Sequence, residues 1–376
     1  MRKIYANRNR IDGKLETIKF NIRNGIINDI QVFKAIDSSL PVIMPGFVDI
    51  HVHGGGGSDT MDASIDAYEK ICETHAHHGT TSLLLTTVSA PEDSINNVIR
   101  QVEKFIIQQE KNCKGSRVIG LHLEGPFINP ERHGAHDLRY LQNPNVKLAS
   151  QWFSSQIIKM ITLAPELEGA KTLIKEASLR GIVVSAGHTT ATREEIEGSI
   201  YHGVEHLTHL CNAMPPFLHR KPGPVGAVIE NEKLTADIIC DGVHLDPSMV
   251  KALTRGIELD RLCLITDGIR AVDMKDGIYL LGGLEVRLNN GKCTLPDGTI
   301  AGSTLTMEQA FRNCILFSGV PPFFAQQMSS DNPARRLGLT RKGKVEQGYD
   351  ADLVLMKADG SVLRTWVGGQ LVYDAI

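Results

Sequence analysis

The sequence lacks the features that would indicate a membrane, nucleic-acid-binding or zinc-knuckle protein. It has no apolar run close to the roughly 20 residues that span a bilayer, and its first residues have no apolar signal-peptide core. Its seven cysteines are scattered singly without a CxxC pair, which suits reduced thiols in a cytoplasm. A net charge of −3 gives no basic surface for nucleic acid. We therefore expect a cytoplasmic protein that binds neither membrane nor nucleic acid.

What the sequence contains is typical of a soluble globular protein. Its 376 residues are 42% hydrophobic and 22% charged. This length fits a large barrel with a smaller domain. No internal repeat or low-complexity tract interrupts the chain.

A βα repeat pattern begins after Pro45. Strands alternate with amphipathic helices, which indicates a parallel sheet. Eight strands within about 220 residues match the usual size of a (β/α)₈ barrel of the TIM type. The predicted strands are residues 47–53, 81–88, 117–123, 160–164, 182–186, 205–210, 234–239 and 262–266.

Both ends of the chain have a different pattern, of short strands and turns without a helical period. Neither end is long enough to bury a core alone. We therefore predict that residues 1–44 and 344–376 pair into one small β-sandwich domain. The catalytic barrel then comprises residues 45–343.

Imidazoles and carboxylates recur where the predicted barrel strands end. In the first strand His51 and His53 are two residues apart, so they share a face, and the four glycines that follow leave open space above them. The carboxyl ends of barrel strands meet at one mouth, where active sites form. Polar side chains of this kind occur at six strand ends: His51 and His53, Glu124, His188, His206 and His209, Asp241 and His244, and Asp267.

Each of these residues also has a structural explanation when it is taken alone. A single histidine is more often a packing residue than a ligand, Glu124 could cap a helix, and Asp267 could form a turn before Gly268. Their shared position, each at the same end of its own strand, favours a site instead. By contrast, we predict that His75, His77 and His78, which close a helix before a glycine, are structural.

This set of side chains predicts a divalent metal centre. Imidazole suits Zn²⁺ or Fe²⁺ better than Mg²⁺ or Ca²⁺. His188, His209 and Glu124 form a three-ligand site with an open position; His51, His53 and Asp267, with Glu124 bridging, form a second. A metal in such a site lowers the pKa of its water toward about 7. Asp267 is placed to take a proton and deliver it to a leaving amine. The predicted chemistry is hydrolysis of an amide-like bond.

Seven motifs in this sequence together resemble those of the N-acetylglucosamine-6-phosphate deacetylases of the amidohydrolase superfamily. They are PGFVDIHVHG, HLEGPF, AGHT, HLTHLCNAM, DGVHL, LITDG and AGSTLTM. The resemblance covers nearly the whole chain. The Glu of HLEGPF is its most specific part, because many relatives use a carboxylated lysine on the fourth strand. That strand ends here in Leu163, Ala164 and Pro165, which argues against the dihydroorotase or urease type.

The resemblance implies a barrel of the metal-dependent amidohydrolase type and a role for each matching residue. It implies that Glu124, His188 and His209 bind the metal that is always present, and that Asp267 is the general base and acid. Some family members have Gln at the second position of the HxH motif and use one metal. This chain has His53 there, so one or two ions per subunit are expected.

The resemblance also implies which residues bind substrate. Ala135 and His136 would reach the sugar and the acetyl carbonyl, while Ile300, Ala301 and Gly302 would line the acetyl side. The phosphate would be held by Asn212, Ala213, Arg220 and His244.

The implied assembly is a homodimer, because family members contribute this arginine from the neighbouring subunit. The alternative for Arg220 is a solvated loop charge beside Lys221.

The activity implied is hydrolysis of N-acetyl-D-glucosamine 6-phosphate to D-glucosamine 6-phosphate and acetate, in amino-sugar catabolism. Two alternatives belong to the same chemistry: N-acetylgalactosamine 6-phosphate as substrate, or another amide or cyclic imide. A third is a catalytically inactive barrel that senses a sugar phosphate. The complete ligand set and Asp267 argue against the sensor.

Overall fold

The computed structural model describes residues 3–376. The chain opens with three antiparallel strands and a fourth that lies parallel to the first. Alternating apolar residues of these strands, such as Ile18 and Phe20, are fully buried. The strands are β1 (Lys3–Asn9), β2 (Leu15–Arg23), β3 (Ile26–Val32) and β4 (Val42–Pro45).

Ten strands follow, eight of which form a parallel sheet and two of which form a short hairpin. The eight neighbour one another in chain order, as in a TIM-type barrel. They are β5 (Phe47–Val52), β8 (Thr80–Thr86), β9 (Arg117–Glu124), β10 (Ile158–Leu163), β11 (Val183–Ala186), β12 (Val204–Leu207), β13 (Thr235–Ile239) and β14 (Leu262–Ile265), with β6 (Gly54–Gly55) and β7 (Ser58–Asp59) after the first.

The first and last barrel strands meet at their carboxyl ends. The backbone N–H of Asp267 donates to the carbonyl of His51 (3.1 Å), and that of His53 donates to the carbonyl of Gly268 (2.9 Å). Deeper in the barrel, the Thr266 hydroxyl donates to the buried Asp49 carboxyl (2.6 Å), and burial raises the pKa of Asp49 to about 7. These bonds close the ring of strands beside His51, His53 and Asp267, which lie at the carboxyl ends of the first and last barrel strands.

Seven helices pack around the barrel. They are α1 (Ile65–His77), α2 (Glu92–Lys111), α3 (Val146–Trp152), α4 (Ala170–Leu179), α5 (Arg193–Ile200), α6 (Gly223–Glu230) and α7 (Pro247–Gly256). The sequence did not indicate α3 or α6. In α6 nearly every residue is buried, so it has no polar face to produce a helical period, and its glycines and proline resemble a loop.

A three-stranded sheet lies beyond the barrel: β15 (Gly277–Leu281), β16 (Leu284–Asn289) and β17 (Lys292–Thr294). It buries Leu281, Val286 and Leu288 against Val88 and Ile269 beside the barrel mouth. Helices α8 (Met307–Ser318), α9 (Pro322–Gln326) and α10 (Asn332–Arg336), with a π-helical turn at Gln327–Asp331, return the chain to the first strands.

The last three strands, β18 (Leu353–Met356), β19 (Val362–Val367) and β20 (Gln370–Asp374), join the first four in one seven-stranded sheet. β18 pairs with β4, and a backbone bond from Ile27 to Tyr349 (2.9 Å) links β3 to the residues before β18. Six strands contribute to a core that includes Phe20, Ile43 and Trp366, separate from the barrel core.

The fold class predicted from the sequence is confirmed: a barrel of parallel strands with a separate β-rich domain built from both chain ends. We propose that the boundaries of these domains lie at 44/45 and 343/344. Within residues 3–376, no helix has both the length and the apolarity to cross a bilayer.

Two of the histidines at the end of α1 make specific structural contacts. His75 is buried and its Nε2 contacts the carbonyl of Gly54 at 2.9 Å. His78 lies between two carboxylates, with Nδ1 at 3.0 Å from Glu308 and Nε2 at 2.8 Å from Asp273. Burial opposes a charge on His78, but the hydrogen bonds to Asp273 and Glu308 outweigh it and raise its pKa to about 10. The imidazolium thus ties α1 to α8 and to the loop after the last barrel strand.

We predict that His78→Gln destabilises the protein in a pH-dependent way. Because the folded pKa is raised above the unfolded value of about 6.5, the contribution is fully present below pH 6.5 and is lost as the pH rises toward 10. The expected loss is roughly 1–3 kcal/mol in the free energy of unfolding near pH 6, measured by urea denaturation.

His77→Gln is the matched control, since burial lowers the pKa of His77. Its effect on the free energy of unfolding should not decline between pH 7 and 10. A His78→Gln effect that stays constant across that range would contradict the ion-pair explanation.

Candidate metal centre and active site

Glu124 is the carboxylate around which the candidate site is arranged. It ends β9, is 2% exposed, and directs its two oxygens at different pairs of histidines. Oε1 faces His188 and His209, whereas Oε2 faces His51 and His53. A single side chain therefore joins two groups of potential metal ligands.

The first group consists of Glu124, His188 and His209. Glu124 Oε1 lies 3.2 Å from His188 Nε2 and 3.1 Å from His209 Nε2, and the two nitrogens are 3.1 Å apart. Ligand atoms about 2.0–2.1 Å from one ion in a tetrahedral arrangement are roughly 3.3 Å from one another. The spacing of these three atoms fits one ion with a fourth position open toward the cavity.

The second group consists of His51, His53 and Asp267. The Nε2 atoms of the two histidines are 3.2 Å apart, and Asp267 Oδ1 lies 3.5 Å from His51 and 3.2 Å from His53. Glu124 Oε2 is 3.3 Å from His51 and 3.2 Å from His53. This group matches the second site that the sequence predicted, with Glu124 shared between the two.

The hydrogen bonds of these histidines also fit a metal. His188 Nδ1 donates to the carbonyl of Arg132 (2.8 Å), so its Nε2 carries the free electron pair that a metal needs. The backbone N–H of His209 donates to Asp237, whose second oxygen contacts His206 Nε2 at 3.0 Å. The donor set of imidazole nitrogens and carboxylate oxygens is the one that Zn²⁺ and Fe²⁺ accept.

The electrostatics of the site favour a bound cation. Burial would lower the pKa of His53 and His209, but hydrogen bonds to Asp267 and Glu124 for the former, and to Glu124 for the latter, raise these values to about 10 and about 9. Burial would raise the pKa of Glu124 and Asp267, but the neighbouring histidines, His51 first, hold both pKa values below their usual ranges. A proton and a divalent cation thus compete for the same imidazole electron pairs.

Three of these residues have a left-handed backbone, which is uncommon for residues other than glycine. The φ angles are +47° for His188, +33° for His209 and +51° for Asp267. Each residue comes two positions after its strand ends. The left-handed turn stops the strand, and neighbouring elements hold it, as when Asn129 N–H donates to the His188 carbonyl (2.9 Å).

A cavity of about 380 Å³ opens above both groups. The structure places most of the sequence-predicted substrate residues on its wall, but Ala301 and Arg220 are not on it. Ala301 is fully buried under the three-stranded sheet, and Arg220 is exposed on a surface loop. The predicted residues on the wall are His53, Glu124, Ala135, His136, His188, His209, Asn212, Ala213, His244, Asp267, Ile300 and Gly302.

His136 and His244 are each held by a defined partner. Ser89 contacts His136 Nδ1 through its backbone nitrogen (3.0 Å) and its hydroxyl (2.9 Å), and His136 Nε2 lies 3.4 Å from Glu124 Oε2. Burial, which outweighs the contact with Glu124, lowers the pKa of His136 to about 4, so its ring is neutral at neutral pH. His244 Nδ1 lies 2.7 Å from Asp241.

Sequence reasoning missed several residues of the site. Arg132 and His133 line the cavity, and Arg132 Nε is buried without a hydrogen-bond partner in the described part of the chain. Their place in the loop before Gly134 was a usable signal. Val88, Leu281 and Thr299 add an apolar and hydroxyl wall. These last three gave no signal, because contacts between distant segments bring them to the cavity.

A second missed group supports the site from behind. Glu166 follows β10 and accepts hydrogen bonds from Asn129 (2.9 Å) and from the backbone and hydroxyl of Thr190 (2.7 and 3.1 Å). It therefore fixes the loop that follows His188. Asp237 lies inside β13 and does the same for His209. A single acidic residue within a strand or just after one gives no sequence signal that it holds a residue of the site, so Glu166 and Asp237 were not found.

The chain matches the model of the amidohydrolase family over residues 42–372. It is 36% identical to an N-acetylglucosamine-6-phosphate deacetylase of Bacillus subtilis (strain 168) over 335 residues, 88% of this chain and 85% of the relative. It is 32% identical to an N-acetylgalactosamine-6-phosphate deacetylase of Escherichia coli O157:H7, over 96% of both chains.

A solved structure of a relative supports the same relationship. It is a mutant N-acetyl-D-glucosamine-6-phosphate deacetylase of Mycobacterium smegmatis in complex with N-acetyl-D-glucosamine 6-phosphate. The two chains are 31% identical and superimpose with a TM-score of 0.89, covering 99% of this chain and all of the other.

We predict that His53→Gln lowers the metal content by one ion per subunit and keeps at least about one tenth of the activity. The first group does not include His53, so its ion should remain. Metal analysis by mass spectrometry and an acetate-release assay are the measurements.

His188→Gln is the control, because it removes a ligand of the first group and should abolish activity. If His53→Gln lost all metal and all activity, the histidines of the first strand, and not the first group alone, would be needed to hold the metal on which activity depends.

Proposed function

Because this chain belongs to the amidohydrolase family, we propose that it hydrolyses the N-acetyl group of N-acetyl-D-glucosamine 6-phosphate, releasing D-glucosamine 6-phosphate and acetate. The observation that carries this proposal is the pair of ligand groups joined by Glu124, the second of which includes Asp267, beneath a cavity of about 380 Å³. Relatives named for this activity support the choice of substrate.

We propose that the ion is Zn²⁺ or Fe²⁺, with one or two per subunit. Glu124, His188 and His209 would hold the first ion, and His51, His53 and Asp267 the second. When bound, a metal of this kind polarises a carbonyl and lowers the pKa of water.

Asp267 is proposed as the group that moves the proton. Its depressed pKa keeps it ionised, so it can accept a proton from water while the water oxygen bonds to the acetyl carbon. It then returns that proton to the nitrogen as the C–N bond breaks. Water and amide are consumed, and acetate and a protonated amine are formed, because the second proton of the water also passes to the nitrogen; no other reactant is needed.

His136 is proposed to stabilise the negative charge that develops on the acetyl oxygen. It is neutral, buried and placed within 3.4 Å of Glu124, so its Nε2 lies at the edge of the metal centre. A donor already in place for a developing oxyanion lowers the barrier because it needs no reorganisation during the reaction. Ala135 lies on the same wall and would contact the sugar, with Ile300 and Gly302 on the acetyl side.

The phosphate is proposed to lie against Asn212, Ala213 and His244, which all line the cavity. Arg220 would complete this site from a second copy of the chain. Its exposure on a loop with Phe217 and Leu218, which are 50% and 49% exposed, supports a homodimer. A cytoplasmic location is part of the proposal, and the seven free thiols suit it.

The galactosamine epimer is the second candidate substrate, because one relative carries that name at 32% identity. Epimers differ in the orientation of one hydroxyl. Comparison of kcat/KM for the two sugar phosphates decides between them, and a ratio above about tenfold, or 1.4 kcal/mol, identifies the preferred one. A sensor would bind either sugar phosphate and release no acetate.

We predict that Asp267→Asn lowers kcat by at least about 1,000-fold while KM changes little. The amide cannot accept the proton from water, yet it keeps the size of the carboxylate. Acetate release under saturating substrate is the measurement.

Asp241→Asn serves as the control for a lost carboxylate near the cavity, and it should affect KM more than kcat. Near-normal turnover by Asp267→Asn would show that another group moves the proton.

We predict that two inactive variants restore activity when they are mixed. In the proposed dimer, each active site combines Asp267 of one subunit with Arg220 of the other. Arg220→Ala and Asp267→Asn therefore remove groups that different subunits contribute to the same site. In a mixed dimer, the subunit that retains Asp267 receives an intact Arg220 from the other. Random mixing by unfolding and refolding should therefore return about one quarter of the wild-type activity.

The same mixing with Arg220→Ala and His188→Gln should give a similar recovery. If mixing restores nothing although mixed dimers form, Arg220 does not act across the subunits.

A further inference from the structure

Ser89, which lies three residues beyond the end of β8, is in direct contact with His136. Its backbone nitrogen is 3.0 Å and its hydroxyl 2.9 Å from His136 Nδ1, and both residues are buried, with exposures of 1% and 5%. The motifs that identified the other site residues do not include Ser89.

The two contacts from Ser89 differ in what they allow. A hydroxyl can donate or accept, so it would tolerate either form of the ring. A backbone N–H can only donate, and it points at Nδ1. If Nδ1 carried a proton, two hydrogens would face each other at a nitrogen–nitrogen distance of 3.0 Å. Nδ1 must therefore be the acceptor, and the proton of the neutral ring must be on Nε2.

The other contacts of His136 agree with this assignment. Nε2 lies 3.4 Å from Glu124 Oε2, a carboxylate oxygen that can accept a hydrogen bond from an Nε2–H group. The ring packs edge-on against His188, with centroids 4.7 Å apart. Gly125 makes room for this arrangement, because a Cβ there would lie 2.3 Å from the Ser89 hydroxyl and its φ is +74°.

We propose that Ser89 is a positioning residue that fixes His136 in its Nε2–H tautomer, so that His136 acts as a neutral hydrogen-bond donor to the acetyl oxygen and not as a base. This rests on the proposed function for the identity of the acceptor. The tautomer itself depends only on the contact between Ser89 and the ring. With this tautomer His136 only donates a hydrogen bond, so Asp267 alone moves the proton during the reaction.

The tautomer can be observed without turnover. In the Zn²⁺-loaded full-length enzyme with ¹⁵N-labelled histidine, long-range ¹H–¹⁵N spectra distinguish a protonated from an unprotonated ring nitrogen. The His136 signals are those missing from His136→Gln. We expect an unprotonated Nδ1 and a protonated Nε2. Ser89→Ala should give the same pattern, because it keeps the backbone N–H. A protonated Nδ1 in the wild-type enzyme would overturn the proposal.

Kinetics test what the tautomer does. The side-chain amide of Gln can place an N–H near the position of Nε2, whereas that of Asn reaches only as far as Nδ1. We expect His136→Asn to lose kcat by about 100- to 1,000-fold, and His136→Gln to retain at least about tenfold more than His136→Asn, with similar KM values. Equal losses in the two variants would overturn the donor role.

The outcomes separate this inference from the proposed substrate. If the wild-type enzyme releases no acetate from either sugar phosphate but shows the Nε2–H signal, the proposed function fails and the tautomer assignment stands. If acetate is released and Nδ1 carries the proton, the function stands and the role of Ser89 is refuted.

Discussion

The closure of the barrel between its first and last strands is the constraint on which the active site depends. The backbone bond from Asp267 to His51 and the bond from His53 to Gly268 place three candidate metal ligands from opposite ends of the barrel sequence within one small volume. The buried contact between Asp49 and Thr266 supports the same seam from below. Side chains separated by more than 200 residues thus acquire fixed distances through backbone geometry, which is stiffer than any side-chain contact.

Glu124 completes this arrangement from the opposite wall. Its two oxygens divide four histidines into two pairs, so one carboxylate balances the charge of both groups. The left-handed backbones of His188, His209 and Asp267 cost about 1–3 kcal/mol each. The partners that hold them, such as Glu166 beneath the His188 loop, offset that cost and keep the ligand atoms in place.

The barrel strands and the joining of the chain ends could be predicted from the sequence, because each leaves a periodic pattern. The candidate ligand groups, which the structure brings together, were indicated by a repeated position at strand ends. His51 and His53 were found by their two-residue spacing and Glu124 by its place at a strand tip. Helix α6 was missed because its full burial erases the amphipathic pattern. Ser89, Asp237 and Glu166 were missed because their roles arise from contacts between distant segments, which leave no local signal.

The seven-stranded sheet also sets an order of events during synthesis. β4 lies between β1 and β18, yet β18 begins roughly 300 residues after β4 ends. At about 5–20 residues per second, the ribosome needs on the order of 15–60 s to supply that partner. Throughout this interval the edge of β4 is open, and an open strand edge can pair with other chains. The nascent protein is therefore most vulnerable to aggregation while its barrel is being made, and a chaperone that covers this edge would protect it until the last strands arrive.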